Sequence, residues 1–260
     1  MGKPKVSIVI CTYERPESLD ETLQSLSKQS FRNFEVLLLT EKGNLSELRD
    51  RGLYLSAGVI VCFIDDDVYC PPTWLQAVVE TFEEEGVVGV TGPTIITTNY
   101  RRNRDIFKYK RIRAFTDWVF QVPSIPSTLS PCGTPSMLSN DADCRYTGPV
   151  QYLEACNMSV KKKEALIVKG FDHKYYRTSE WCELDLSLKL GQKGRLISRP
   201  ECGLHHRPSQ AGVYKARLST RHRWHNFVRF QRRWVKPSLR RHLYWGFVWA
   251  YLKMKDLRMI

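Results

Sequence analysis

Several common features are missing from this 260-residue sequence. Its eight cysteines form no C-x-x-C pair and show no tight spacing to histidine, which argues against a structural zinc site. Several of them, such as Cys11 and Cys62, lie in apolar runs, where a free cysteine behaves as a small hydrophobic residue. The sequence therefore predicts a reducing, cytosolic environment.

Long hydrophobic runs are also missing. The apolar stretch near the N-terminus, Val6–Ile10, is soon followed by Glu14 and Arg15, so we expect neither a signal peptide nor a membrane span there. No internal repeat or low-complexity segment is present. Hydrophobic residues make up 42% of the chain and charged residues 26%, proportions that are typical of a folded globular protein.

Acidic residues are scarce in one region only. Residues 217–260 carry 12 Lys/Arg and a single acid, Asp256, whereas residues 1–216 carry 28 Lys/Arg and 26 acids. The net charge of +13 thus divides into +11 for the C-terminal segment and +2 for the rest. We predict a nearly neutral main domain, 1–216, followed by a basic, amphipathic helical tail, 217–260.

Apolar runs and helical patterns alternate through the first hundred residues. Short β-branched runs predict strands, helical spacing of leucines and aromatics predicts the helices between them, and this alternation favours an α/β fold with a mostly parallel central sheet covered on both faces. The predicted strands are Val6–Ile10, Phe34–Leu39, Val59–Ile64 and Val87–Thr91, with a further one at Arg195–Ser198. Residues 94–150 show little of this periodicity and predict a long, partly irregular excursion over the site that shapes a substrate cleft.

Three consecutive aspartates, Asp65, Asp66 and Asp67, directly follow the third predicted strand. Ligands collect at the carboxyl ends of strands in parallel sheets. Adjacent carboxylates repel one another, and a hard divalent cation such as Mg²⁺ or Mn²⁺ that also binds phosphate relieves this repulsion. The alternative is a solvated acidic turn.

Two further groups of residues follow predicted strands. Thr12, Tyr13 and Arg15 come after the first strand, where an aromatic ring can stack on a base, although a plain strand-to-helix turn is the alternative. His205 and His206 come after the last predicted strand and predict either a metal ligand with a neighbour or a polar loop.

The last group is acidic. Glu180 and Glu183 are neighbours at i, i+3 on a predicted helix, and Asp185 follows them. Carboxylates near a metal–phosphate site are candidates for a general base, whereas a solvated helix face is the alternative.

Taken in order, these residues resemble the inverting family-2 glycosyltransferases of the GT-A fold over roughly residues 5–207. The resemblance implies a donor-binding half, 1–93, and an acceptor-side half, 94–216. It rests on the following matches: Val6–Arg15 with Pro16, Gln29, Arg49 with Gly52, Ala57-Gly58, Phe63–Asp67, Asn157–Ser159, Gly170–Asp172 and Glu183–Leu186.

The resemblance implies a role for each group. The nucleotide-sugar donor would contact Thr12, Tyr13, Arg15, Arg49, Asp65 and Asp66, with Asp66 either taking part or acting only as a spacer. Asp67 would bind Mn²⁺ or Mg²⁺, and His205 or His206 would complete the metal shell. The acidic helix would supply the base that deprotonates the acceptor hydroxyl.

The sequence departs from the family pattern at three points. An acid that usually closes the second strand is absent, and Glu41 is the expected substitute. The usual Arg-Asn pair reads Arg49-Asp50. The acidic signature reads Cys182-Glu183-Leu184-Asp185 and lacks its first acid, which makes Glu183 the preferred base, with Asp185 and Glu180 as rivals.

The resemblance thus implies a metal-dependent, inverting hexosyltransferase that uses a nucleotide-diphosphate sugar and a glycan or lipid-linked acceptor. The alternative from another class is a non-catalytic protein of the same fold that binds nucleotide sugars or glycans. For the basic, aromatic tail, the sequence leaves open docking on an anionic membrane, which would make the protein peripheral on the inner face, or packing on its own domain. Nucleic-acid binding is disfavoured because the main domain is nearly neutral.

Overall fold

The structure is a computed structural model that describes residues 2–96, 114–136, 144–177, 179–208 and 219–256. Its first half alternates strands and helices as predicted. The elements are β1 (Val6–Cys11), α1 (Pro16–Ser27), β2 (Phe34–Leu39), α2 (Leu45–Leu55), β3 (Ile60–Ile64), β4 (Val68–Tyr69), α3 (Trp74–Thr81), β5 (Val87–Thr91) and β6 (Thr94–Ile96).

The second half adds short strands and four helices. Residues 114–120 are also helical. The elements are β7 (Gly148–Pro149), β8 (Asn157–Lys161), α4 (Lys162–Ile167), α5 (Cys182–Leu190), β9 (Arg195–Ser198), β10 (Leu204–His206), α6 (Thr220–Trp234) and α7 (Leu239–Asp256).

The central sheet has seven strands in the order β2-β1-β3-β8-β5-β9-β7. β1 pairs in parallel with β2 and β3, and β5 pairs in parallel with β9, whereas β8 is antiparallel to both β3 and β5. Five of the seven strands therefore share one direction, which confirms the predicted α/β class with a mostly parallel sheet. β8 was not predicted as a strand, since its sequence NMSVK is only partly apolar.

Both faces of the sheet are covered, as predicted. Along β1, Ile8 and Ile10 belong to one buried cluster and Val9 belongs to the other. β3 repeats the pattern, with Cys62 on the first side and Phe63 on the second. This alternation is what the two-residue period of a strand requires.

α2 forms although Gly52 weakens its intrinsic helix propensity. The reason is a close approach to β1. A Cβ atom at position 52 would lie 2.4 Å from Cγ1 of Val9, so only glycine lets the helix pack at this distance. Tertiary packing therefore overrides local propensity, and α2 carries Arg49 and Asp50 towards the sheet.

A second sheet, β4-β10-β6, lies beside the first. Its middle strand β10 contains His205 and His206, so the pair lies in a strand and the alternative of a polar loop is wrong. Of the segment predicted as an irregular excursion, residues 97–113 and 137–143 lie outside the described residues. Its role in covering the site stays a prediction.

The basic segment folds as two helices, α6 and α7, separated by Pro237. On α6, Phe227 and Phe230 are fully buried, and Phe230 joins the main hydrophobic cluster. The alternative in which the aromatics pack on the protein's own domain therefore applies to α6. Within the described residues, no helix is both long and apolar enough to cross a membrane. The boundary at residue 216 stays a prediction, since residues 209–218 lie outside the description.

Candidate active site

The aspartate triplet lies at the carboxyl end of β3, beside the end of β1. Because the two strands are parallel and pair Ile10 with Ile64, the residues that follow them meet. Thr12 Oγ1 donates to Asp66 Oδ2 at 2.6 Å. Arg15 donates to Asp66 Oδ1 at 2.6 Å and also contacts Asp67 through its second terminal nitrogen. The first two predicted groups thus form one charged cluster.

His206 completes this cluster from the second sheet. Its Nε2 atom lies 3.1 Å from Asp67 Oδ1, and Asp65, Asp67 and His206 each offer a ligand atom within 4.8 Å of the others. His205 points to the opposite face of β10, as its strand position requires. There its ring lies 5.9 Å from that of Tyr69 and outside the cluster.

Asp66 is more deeply buried than the other two aspartates. Burial raises the pKa of its carboxyl to about 6, although the Thr12 hydroxyl and the Arg15 guanidinium oppose this shift. Both of its oxygens accept hydrogen bonds from the protein. Asp66 therefore anchors Thr12 and Arg15 and lies outside the Asp65–Asp67–His206 group, so it positions its neighbours and is more than a spacer.

Arg49 connects the triplet to the acidic helix. The side chain is almost fully buried, and its Nη2 atom donates to Asp65 Oδ1 at 3.3 Å and to the Ala155 carbonyl at 3.0 Å. Nη1 lies 4.0 Å from Sγ of Cys182, the first residue of α5. The Arg49 guanidinium therefore lies between Asp65 on the predicted donor side and the start of the helix that carries Glu183, the predicted base.

The remaining residues of the predicted donor pocket border the same strand ends. Burial raises the pKa of the Cys11 thiol to about 12, so it stays neutral. The charge of Arg49 opposes this shift, and the charges of Asp65, Asp66 and Glu41 add to it. Glu41 itself is exposed and accepts from Arg51 at 2.6 Å. Tyr13 is half-buried, and Nζ of Lys42 lies 5.8 Å from the centre of its ring.

The three acids of α5 and its approach differ in their surroundings. Asp185 is fully buried and is surrounded by four donors. The Trp234 indole donates to it at 2.7 Å, Arg233 lies at 3.2 Å, Lys189 at 3.4 Å and the Tyr175 hydroxyl at 3.5 Å.

Glu180 and Glu183 are more accessible than Asp185. Glu180 accepts from Nε of Arg223 with both oxygens, at 3.1 and 2.9 Å. Glu183 is half-buried, and burial raises the pKa of its carboxyl while the positive charge of Arg49 opposes that shift. Glu183 thus combines partial access with a raised pKa, which is the combination a general base requires.

The chain that leads into α5 is held in an unusual conformation. Arg177, Ser179 and Trp181 have φ values of 58°, 50° and 78°, in the left-handed region that non-glycine residues rarely adopt. Packing maintains it, because the Trp181 ring lies 5.5 Å from that of Phe227 and 5.0 Å from that of Phe230. Backbone strain of this kind concentrates at functional sites, where surrounding contacts fix it.

Sequence reasoning missed the partners of the acidic helix. Arg223, Arg233 and Trp234 all come from α6, which the sequence predicts as part of the basic tail. It also missed Asp50, whose side chain accepts from the Phe171 amide at 3.0 Å and so fixes the Gly170–Asp172 motif. No local pattern signals these contacts, since each joins residues far apart in the chain.

The residues present fit a divalent metal ion. Two carboxylates and one imidazole form a donor set that suits Mn²⁺ and tolerates Mg²⁺, and they come from the connection between β3 and β4 and from β10. Asp65, Asp67 and His206 are therefore the residues that would hold such an ion, and His205 is not among them.

Comparison with known proteins finds relatives among the glycosyltransferases. Residues 37–133 match the family described as Glycosyl transferase family 2. The chain is 28% identical over 131 residues to the glucosyl-dolichyl phosphate glucuronosyltransferase of Haloferax volcanii, an alignment that covers 40% of this chain and 42% of that protein. It is 24% identical over 232 residues to the amylovoran biosynthesis glycosyltransferase AmsB of Erwinia amylovora, covering 76% of this chain and 69% of that one.

Solved structures show the same fold. GalNAc-T7, solved with UDP, GalNAc and Mn²⁺, superposes with a TM-score of 0.56 at 11% identity and covers 79% of this chain and 44% of its own. The mannosyltransferase PcManGT of Pyrobaculum calidifontis, solved with GDP-Man and Mn²⁺, also gives 0.56 at 13% identity, covering 98% and 71%.

The fold is therefore that of the GT-A glycosyltransferases. The predicted resemblance to family-2 glycosyltransferases is confirmed as well, because the family match, both relatives and the structural neighbours agree. This chain spans less than half of the length of the first relative.

Proposed function

We propose that this protein is a metal-dependent, inverting glycosyltransferase that moves a hexose-type sugar from a nucleotide-diphosphate donor to an acceptor hydroxyl. The observation that carries the proposal is the convergence of Asp65, Asp67 and His206 at the strand end that Thr12 and Arg15 also border. This arrangement supports a cation site beside a nucleotide pocket.

The donor side divides into two tasks. Asp67, Asp65 and His206 would hold Mn²⁺ or Mg²⁺, which when bound offsets the charge of the leaving diphosphate. Thr12, Tyr13, Glu41 and Arg49 would line the nucleotide pocket. Arg15 would keep Asp66 and Asp67 oriented, since it contacts both carboxylates.

Glu183 is the proposed base. It would accept the proton of the acceptor hydroxyl as the oxygen attacks the anomeric carbon from the side opposite the leaving diphosphate, which inverts that centre. Full burial and four donors suit Asp185 to a positioning role, and the bidentate contact with Arg223 occupies Glu180. Both observations support the choice of Glu183 over its rivals.

The acceptor is proposed to be a glycan or a lipid-linked glycan. The name of the Haloferax volcanii relative includes a dolichyl phosphate carrier, and that of the Erwinia amylovora relative refers to biosynthesis of amylovoran. We further propose a cytoplasmic location, because all eight cysteines are free thiols in the structure.

A thermal-shift screen with nucleoside diphosphates tests the donor site. With Mn²⁺ present, UDP, GDP or another nucleoside diphosphate should raise the melting temperature, because a ligand that binds only the folded state stabilises it by mass action. EDTA or the substitution Asp67→Ala should abolish the shift. Equal shifts in wild type and Asp67→Ala would contradict the proposed metal site.

The second candidate function is a non-catalytic protein that binds nucleotide sugars. The departure that favours it is Cys182, which stands where the family has the first acid of its signature. Such a protein would show the same thermal shifts and would release no nucleoside diphosphate from any sugar donor. The release assay therefore separates the two candidates.

A further inference from the structure

We propose that the outward face of α7, together with the helical segment 114–120, forms a docking surface for anionic phospholipid membranes. This inference is independent of the proposed chemistry, since it concerns where the protein is held. It also divides the two C-terminal helices by role, with α6 serving the protein interior and α7 serving the membrane.

An apolar stripe runs along the exposed side of α7. At about 100° per residue, its five members fall within an arc of about 80°. All five are exposed: Leu239, Leu243, Phe247, Ala250 and Met254. Leu239 is 78% exposed and Leu243 54%, which is unusual for leucines at successive turns of one helix face.

The opposite side of α7 is already occupied. Tyr244 and Leu252 are buried, and the Tyr244 ring lies 5.4 Å from that of Phe227 on α6. The exposed stripe is therefore a second apolar face, and the packing of α7 on the domain does not explain it. A helix that is apolar on two sides buries one side against its own domain and needs a second apolar partner for the other side.

Residues 114–120 extend the stripe. Trp118 is 77% exposed and Phe115 63%, and their rings lie 6.3 Å apart. Phe120, at the end of this segment, connects the two parts, since its ring lies 5.7 Å from that of Phe247. Large exposed aromatics continuous with a leucine stripe make one apolar patch, of the kind that marks interaction surfaces.

The charge around the stripe selects the partner. Residues 219–254 contain no aspartate or glutamate, and Asp117 is the one acid of segment 114–120. Arg240 and Lys253 are exposed on α7 itself, Lys236 is exposed just before α7, and Arg232 is exposed on α6. Within the described part of the chain, no salt bridge joins these four to a carboxylate. Basic residues beside an apolar helix face suit the headgroup region of an anionic membrane.

Two other partners fit less well. A second copy of the chain would bring two predominantly basic surfaces face to face, so that like charges would oppose association. Nucleic acid would satisfy the arginines and lysines and would leave Leu239, Leu243 and Phe247 against phosphate. A lipid surface satisfies both the apolar stripe and the positive charge.

The patch is fixed relative to the proposed base. Rings in contact lead from Trp181, next to α5, to Phe227 at 5.5 Å, then to Tyr244 at 5.4 Å and to Phe120 at 5.0 Å. A membrane bound at this patch would therefore hold the acidic helix at a set orientation to the bilayer.

Vesicle co-sedimentation of the full chain tests the proposal. We expect wild type to pellet with vesicles of phosphatidylcholine mixed with phosphatidylglycerol and to remain mostly in the supernatant with phosphatidylcholine alone. The double variant Leu243→Gln, Phe247→Gln should bind the mixed vesicles about tenfold or more weakly, because two apolar side chains no longer enter the interface. The double variant Arg240→Gln, Lys253→Gln should also weaken binding, with a loss that shrinks as salt is added.

A matched control uses exposed apolar residues elsewhere. Leu55 on α2 and Ile167 on α4 are 58% and 56% exposed, so Leu55→Gln, Ile167→Gln removes similar apolar area outside the patch. This control should bind vesicles like wild type, and all variants should keep the wild-type melting temperature within a few degrees. Equal binding by the Leu243/Phe247 variant and wild type would overturn the proposal. Two other results would also overturn it. One is a wild-type dimer that the Leu243/Phe247 variant converts to a monomer, and the other is binding of duplex DNA by a wild-type protein that binds no vesicles.

Discussion

The two ends of the candidate site obtain their charge partners in different ways. At the donor end, Asp65 pairs with Arg49 and Asp66 pairs with Arg15, all within the first 67 residues. At the base end, Asp185 and Glu180 pair with Arg233 and Arg223 of α6, which lie 48 and 43 residues further along the chain. The donor-end aspartates thus find their arginine partners within the donor-binding half, 1–93, and His206 joins them from β10. The base end, in contrast, depends on α6.

This difference explains what each set of acids does. The donor-end carboxylates Asp65 and Asp67 share a cluster with His206 and lie where a cation can join them. Among the base-end carboxylates, Asp185 and Glu180 have arginine partners on α6, and Glu183 does not pair with that helix in the described part of the chain. The α6 helix therefore supports the acidic helix α5 through Asp185 and Glu180, and the carboxylate of Glu183 stays available to act as the proposed base.

The largest expected effect is on folding. Asp185→Asn removes the charge that Arg233 and Lys189 share, so we expect the free energy of unfolding to fall by about 3 kcal/mol, the scale of a broken buried ion pair. Urea denaturation followed by circular dichroism measures it. Glu21→Gln is the control, since Glu21 pairs with Arg207 at an exposed site and should lose less than about 1 kcal/mol. A loss as small as the control's would contradict a supporting role for α6.

The next largest effect is expected from removing the carboxylate of Asp67 at the donor end. Asp67→Ala should reduce transfer about a hundredfold or more, the scale of a lost electrostatic contact to the transition state. It should also weaken Mn²⁺ binding, which isothermal titration calorimetry measures without any turnover. Asp20→Ala on α1 serves as an exposed control and should leave both quantities unchanged. Normal Mn²⁺ affinity in Asp67→Ala would remove Asp67 from the metal site.

Removing the proposed base Glu183 should reduce turnover by a similar factor without changing ligand binding. Glu183→Gln should lower kcat about a hundredfold and leave nucleoside diphosphate binding within about twofold of wild type, because a general base acts on the chemical step. Steady-state kinetics together with the thermal-shift assay separates the two quantities. Near-normal turnover in this variant would rule out Glu183.

The pH dependence follows from the same carboxylate. Burial raises the pKa of Glu183 and Arg49 opposes the shift, so the folded-state value lies above that of an ordinary glutamate. A base works when it is deprotonated, and activity should therefore fall as pH decreases through this raised pKa. The profile of kcat/KM between pH 4 and pH 8 measures the fall. An acid limb at the ordinary glutamate pKa would contradict the assignment.

The smallest expected effect concerns Glu180. Its pair with Arg223 is partly exposed, so Arg223→Gln should cost less than about 1 kcal/mol of stability and change turnover by less than about threefold. Lys5→Gln, which breaks an exposed pair with Glu83, is the matched control. A hundredfold loss of turnover in Arg223→Gln, with normal stability, would show that the base end depends on Glu180.

The donor end could be predicted from the sequence because its residues follow strands directly. A buried strand fixes where its last residue lies, so Thr12 after β1 and Asp65 after β3 had to meet once the strands paired in parallel. The α5 helix with Glu183 and Asp185 was also predicted, whereas Glu180, predicted on the same helix, lies two residues before its start. The role of α6 was not, because Arg233 contacts Asp185 only after the chain has returned to the domain. The antiparallel β8 and the second sheet likewise depend on pairing between distant segments.

The most direct test of the central claim is the release of nucleoside diphosphate from a panel of nucleotide sugars. We predict that wild type with Mn²⁺ slowly releases the diphosphate from at least one donor, that EDTA stops the release, and that Asp67→Ala shows none. If nucleoside diphosphates bind with Mn²⁺ and yet no sugar donor in the panel is ever cleaved, the protein is a binding module and the account of Glu183 as a base is wrong.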